Sequence, residues 1–185
     1  MIETERLYLR QWQSSDFASF AEINANPEVM RYFPKLLTTK VSDIIANKCQ
    51  QLIQDNGWGL WAIGLKDREE NSGHFIGFVG LNDTHTDMSF APAVEIAWRL
   101  HSDYWGQRYA TEAARASLDF AFTELGLEEV VSFTAVINKR SQLIMQRIGM
   151  IDTQDNFYHP ALNATHPLAE HVLYKITRQQ WQDII

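Results

Sequence analysis

The chain has 185 residues, 45% of them hydrophobic and 21% charged, the composition of an ordinary globular protein rather than a disordered or fibrous one. Sixteen Lys+Arg against 23 Asp+Glu leave a formal charge of −7, which argues against a nucleic-acid binder working through a broad basic face and tolerates a cationic substrate. Cys49 is the single cysteine, so an internal disulfide and a multi-cysteine zinc site are excluded and a reducing compartment fits.

No linker, repeat or low-complexity tract divides the chain, and one domain over residues 1–185 is expected. No apolar run is long enough to span a bilayer and the start carries no export pattern, so a cytoplasmic protein without a membrane partner is expected.

Leu7, Leu9 and Gln11 alternate with Tyr8 and Arg10 as in a strand. Ser14 or Ser15 then opens an amphipathic helix that ends near Asn26-Pro27. A second helix is predicted from about Lys40 to Asp55 on the spacing of Val41, Ile44, Ile45, Lys48, Leu52 and Ile53, stopped by Asn56-Gly57. Trp58–Leu65 and His74–Leu81 read as strands joined by the polar turn Lys66–Gly73, and Pro92–Leu100 as a third. A loop through Trp105-Gly106 leads into a helix whose face is Ala110, Ala113, Ala114, Ser117, Leu118, Ala121, Phe122 and Leu125, closed by Gly126. Glu129–Ile137 is β-branched and aromatic, hence a strand. Leu143, Ile144 and Ile148 belong to a short helix ended by Gly149, and Val172, Tyr174 and Ile176 to a last strand. The order β-α-α-β-β-β-α-β-α-β gives a mixed α/β fold, largely antiparallel in its first half, with one strand–helix–strand unit near the middle.

The chemistry concentrates where the strand ending at Leu100 turns into the helix starting near Arg108. Such a turn aims unpaired backbone N–H groups and the positive end of a helix dipole at one point, which suits a phosphate or diphosphate. Gly106 lets the backbone approach closely, Ala110 and Ala113 keep the first turn slim, and Arg108 adds a cation.

Glu95–Ala113, with its Tyr104-Trp105-Gly106 and Tyr109-Ala110-Thr111-Glu112-Ala113, resembles the signature segment of the GNAT (GCN5-related) N-acetyltransferases. It is most similar to the branch that includes the ribosomal-protein alanine N-acetyltransferases. Asn138-Lys139-Arg140-Ser141, Arg147-Ile148-Gly149-Met150 and the opening Thr4-Glu5-Arg6-Leu7 continue the resemblance over nearly the whole chain. It implies a central sheet flanked by helices and splayed at the cofactor strand. It also implies direct acetyl transfer from acetyl-CoA to an amine, either a protein N-terminus or a small amine, with no metal. A two-fold dimer is common for such domains, although no seam in the sequence marks one.

Carried over by position, Trp98, Arg99 and Leu100 would pair backbone groups with the pantetheine arm. Trp105, Gly106, Gln107, Arg108, Tyr109, Ala110 and Thr111 would hold the diphosphate, and Asn138 would hydrogen-bond the pantetheine or place the thioester. Arg108 departs from the family's usual glycine; a side chain there fits if its φ is negative. Met145 stands where many members have a tyrosine acid.

Glu95, on the strand feeding the turn and sharing a face with Ala97 and Arg99, is the candidate general base. Ser141 is the candidate donor to the thioester or departing sulfur, against a simple role as a first-turn helix residue. Trp58 and His171 are candidates for the acceptor side. His159, His166 and His171 match no common zinc spacing. A non-catalytic acyl-CoA sensor on the same fold is the alternative, whereas a general nucleotide-binding protein lacks both glycine-rich phosphate motifs.

Overall fold

The computed structural model describes residues 1–66, 73–84 and 86–185. The elements in chain order are β1 (Ile2–Glu3), β2 (Leu7–Arg10), α1 (Asp16–Ala25), α2 (Thr39–Asn56), β3 (Leu60–Leu65), β4 (His74–Asp83), β5 (Val94–Leu100), α3 (Tyr109–Thr123), β6 (Glu129–Ala135), α4 (Lys139–Arg147), β7 (Ile151–Asp152), β8 (Phe157–Tyr158), β9 (Glu170–Thr177) and α5 (Arg178–Gln182). Single 3-10 turns lie at Val29–Tyr32 and Ser102–Tyr104. This is the expected mixed α/β fold with a mostly antiparallel sheet flanked by helices. The chain forms two compact units, residues 1–80 with 97–116, and residues 81–96 with 117–185.

In the first unit β1, β2, β3 and β4 pair antiparallel in order. The last part of β5 joins β4, where the His101 N–H donates to the Ile76 carbonyl. Gly77 makes that neighbourhood possible: its φ is +145°, and a Cβ there would lie 2.2 Å from the Arg99 carbonyl oxygen. The core of this unit is aromatic. Trp12, Phe20, Phe75 and Phe78 pack together with Ile23, Ala46 and Cys49. Burial pushes the Cys49 thiol up to about 11, so the cysteine is an inert core residue.

In the second unit β6, β7 and β8 each pair antiparallel with β9. β5 and β6 are parallel, as the central strand–helix–strand unit requires, and their register is a single pair, Glu95 opposite Val131. The Ser132 hydroxyl then takes the Ile96 carbonyl at 2.9 Å. α3 buries Ala113, Ala114, Ser117, Leu118, Ala121 and Phe122, the face its periodicity predicts.

Two local expectations are corrected. Neither Ser14 nor Ser15 caps α1; Ser15 precedes the helix in αR conformation with no side-chain capping bond. Asp16 instead turns inward and forms a buried bidentate pair with Arg10, at 2.7 and 2.9 Å. α2 shows its core only part of the expected face: Ile45 and Ile53 pack against it, but Val41 and Ile44 point outward. Ser42, Ala46 and Cys49 are buried, whereas Ile44 is 59% exposed. Small residues let α2 lie close against α1, which outweighs the preference for burying the larger side chains. The short strands β1, β7 and β8 and helix α5 carry too little periodicity to be anticipated. The predicted turn Lys66–Gly73 falls mostly outside the described residues.

Candidate active site

The loop after β5 starts with its own anchor. Trp105 packs against the first unit's aromatic core, and its Nε1–H donates to the Leu100 carbonyl at 3.0 Å. Gly106 follows with φ +78°, and Arg108 also has a positive φ, +65°. The sequence-based condition for Arg108, a negative φ, is therefore not met. The exposed arginine holds the left-handed conformation that glycine adopts freely, at a cost of about 1–2 kcal/mol.

The first hydrogen bond of α3 runs from the Glu112 N–H to the Arg108 carbonyl. The N–H groups of residues 106–111 have no partner among the described residues. They form a run of donors at the positive end of a helix.

A clamp that sequence reasoning missed holds this run in place. Glu112 accepts from the Thr4 hydroxyl (2.6 Å), the Arg6 N–H (2.9 Å) and Arg6 Nε (2.7 Å). Arg6 also donates to the Gln107 carbonyl at 3.1 Å and lies 4.5 Å over the Tyr109 ring. Burial by itself would raise the Glu112 pKa, but the bonds from Thr4 and Arg6, with the Arg6 charge, outweigh it and hold the carboxyl below its ordinary value. The signal was the opening Thr4-Glu5-Arg6 together with Glu112, both present in the resemblance without an assigned role.

In the second unit, Glu95 is half-buried, and desolvation pushes its carboxyl up to about 7. The Asn82 amide, donating to Oε1 at 3.3 Å, partly opposes the rise. A carboxylate titrating near neutrality can take a proton and release it under physiological conditions.

Asn138 is the N-cap of α4. Its Oδ1 accepts from the Ser141 N–H (3.3 Å), and its Nδ2 donates to Thr134 Oγ1 (2.9 Å) and Ser141 Oγ (3.0 Å). Ser141 Oγ thus accepts one bond, and its own proton has no acceptor among the described residues. The cap of this turn is made by Asn138, whose Nδ2 also donates to Ser141 Oγ. Met145 is 1% exposed and part of the core.

His171 lies within 5.1 Å of the His159 ring, 5.6 Å of Phe157 and 6.2 Å of Phe133, centroid to centroid. Burial and the neighbouring His159 keep its pKa below the ordinary value despite the Ala169 carbonyl at 3.1 Å, so it is neutral at pH 7. Phe90 joins this cluster, 5.1 Å from Phe157, a grouping that no local spacing in the sequence announces. Trp58, half-buried between α2 and β3, enters none of these networks among the described residues. A cavity of about 660 Å³ bordered by Lys139, Gln142, Asp152 and Asp155 includes none of the candidate residues. Among the described residues no cluster of three or more His, Cys, Asp or Glu could hold a metal, and no helix is long and apolar enough to cross a membrane.

The open start of α3 in the first unit, with its run of N–H donors, suits an anion. The family model for the acetyltransferase (GNAT) domain matches residues 6–151, and the chain belongs to this family of N-acetyltransferases. It is 26% identical to the uncharacterized N-acetyltransferase YnaD of Bacillus subtilis, over 97% of this chain and 98% of that one. A GNAT-family acetyltransferase from Bacillus anthracis superposes with a TM-score of 0.77 at 23% identity, covering 96% of this chain and 98% of that chain. The spermidine N-acetyltransferase of Vibrio cholerae, solved with CoA and spermine, gives 0.74 at 18% identity, covering 97% and 99%, a likeness of fold.

Proposed function

We propose that the chain transfers the acetyl group of acetyl-CoA directly to a primary amine. The observation that carries this reading is the run of unpartnered N–H groups at residues 106–111, pinned by the Arg6–Glu112 clamp. These amides bind the diphosphate of the coenzyme, and Gly106 keeps a side chain out of its way. The backbone of Trp98–Leu100 pairs with the pantetheine arm, beside the Leu100 carbonyl that accepts from Trp105.

The acceptor must lose a proton, because an ammonium has no lone pair to offer. An α-amine, with a pKa of about 8, needs less help at neutral pH than a lysine-type amine at about 10. Glu95 takes this proton, directly or through a water. The amine nitrogen then attacks the thioester carbon, and the C–S bond breaks as the tetrahedral intermediate collapses. The extra proton left on the nitrogen passes to the departing sulfur as the intermediate collapses, and Ser141, held by the positioning residue Asn138, stabilises that sulfur with a hydrogen bond. Trp58 and His171 contribute to the acceptor side. The spermidine enzyme's complex with spermine supports small amines as acceptors on this fold.

The test is steady-state acetylation of an amine panel, followed by CoA thiol release across pH. In the wild type kcat/KM should rise as pH increases through about 7, where Glu95 loses its proton. Glu95→Gln should lower kcat by about 10²-fold or more and remove that limb, with acetyl-CoA affinity little changed. A variant at wild-type rate throughout would clear Glu95 of the role. Saturable acetyl-CoA binding with no thiol release for any amine would favour a sensor.

A further inference from the structure

The first unit holds two inward-facing arginines and treats them in opposite ways. Arg10 is closed by the bidentate carboxylate of Asp16, and both are buried. Arg99 has no Asp or Glu partner among the described residues. Its Nη1 donates to Asn24 Oδ1 at 2.5 Å, and its Nε is buried without any hydrogen-bond partner. The guanidinium carbon lies 4.1 Å from the centroid of Phe33 and 5.5 Å from that of Phe78.

This charge is held in one orientation. Asn24 is fully buried on α1, and its Nδ2 donates to Ser42 Oγ on α2 at 3.1 Å, so two helices fix the amide that fixes the fork. Removing a guanidinium from water without a counter-charge is unfavourable by several kcal/mol, and here desolvation draws its pKa down to about 10. The aromatic faces return only part of that. A planar fork with free donors, buttressed from behind and lacking an acid of its own, matches the two oxygens of a carboxylate. Phe33, 40% exposed, puts the stack at the rim of the first unit rather than deep within its core.

We propose that the Arg99 side chain receives a carboxylate of the acceptor, so that the substrate class is an amine that also bears an acid group. This deepens the acetyltransferase reading and rests on it. The role is distinct from the backbone pairing of Arg99 with pantetheine, because it uses the side chain alone.

The test is calorimetric titration of the protein, saturated with CoA so that the diphosphate loop is filled, with succinate and with its diamide succinamide. Wild type should bind succinate about tenfold or more tightly than succinamide. Arg99→Gln should bring the two within about twofold, and Arg99→Lys, which keeps the charge but not the fork, should fall between. The same order should appear in transfer: kcat/KM for β-alanine over β-alaninamide should be highest in wild type and lower in both variants. The comparison of the two ligands on wild type needs no variant to fold. Equal binding of succinate and succinamide by wild type overturns the proposal. So does tighter, Arg99-dependent binding of inorganic phosphate than of succinate. Absence of a succinate preference in wild type, with amine acetylation intact, refutes the Arg99 assignment alone. Acetylation of no amine, with succinate still held, refutes instead the transfer reaction.

Discussion

The starts of α3 and α4 solve the same problem in opposite ways. Every helix begins with N–H groups that its own turns cannot satisfy. At α4 Asn138 closes the end with its side chain, and the spare capacity of that cap orients Ser141. At α3 the N–H groups of residues 106–111 stay open, and the fold spends its side chains behind the turn, where Thr4 and Arg6 grip Glu112. The closed start satisfies its own donors with a side chain; the open one leaves a run of backbone N–H groups without a partner among the described residues. The lesson is that an uncapped helix start is informative when its neighbours are built to hold it still.

The contrast can be broken most severely at Glu95, whose removal should cost the largest factor in turnover, with the pH limb near 7 lost as set out above. Its ionisation also bears on stability. The folded carboxyl titrates near 7 rather than the ordinary 4.5, so the native state binds more protons between these values and stability falls as pH rises through that window. Thermal melting of Glu95→Gln should lack this slope, and above pH 7 the variant should melt higher than wild type.

Next in size is the open helix start. Gly106→Asp sets a carboxylate and a left-handed backbone against the diphosphate, and acetyl-CoA binding should weaken at least tenfold, about 1.4 kcal/mol, by calorimetry. Unchanged affinity would remove the loop assignment.

The closed start is separable into cap and donor. Asn138→Ala should lose about 1 kcal/mol of stability in chemical denaturation together with turnover. Asn138→Asp keeps the capping oxygen but not the Nδ2 bonds to Thr134 and Ser141, so turnover should fall with stability largely retained. Wild-type turnover in Asn138→Asp would mean that Asn138 only caps.

The smallest effect sharpens the comparison from the other side. Arg108→Gly relieves the positive φ at the open start but frees the unfolded chain, so the net gain in stability should be at most about 1 kcal/mol.

Much of the machinery is local, and local machinery is legible. The Gly106 turn, the small-residue face of α3, the polar start of α4 at Asn138 and the strand carrying Glu95 each lie within one short segment, where period, turn chemistry and capping act. The α2 face was read only in part, with Ile45 and Ile53 packed on the core but Ser42, Ala46 and Cys49 unforeseen, because hydrophobic spacing does not report close packing by small residues. The cap of α1 was misread because Arg10 and Asp16 prefer each other's buried charge to the helix end.

By itself, then, the sequence determined the class of fold and the position of the Gly106 turn at the start of α3, because each follows from interactions between near neighbours in the chain. Tertiary structure alone decided that Arg6 braces the α3 start against Glu112, that Arg108 takes a positive φ, and that Asn24 and Phe33 surround an Arg99 with no acid beside it among the described residues. Those depend on burial and on partners tens of residues away, and the energies that fix them, desolvation and the pairing of charge, exist only once the chain has excluded water.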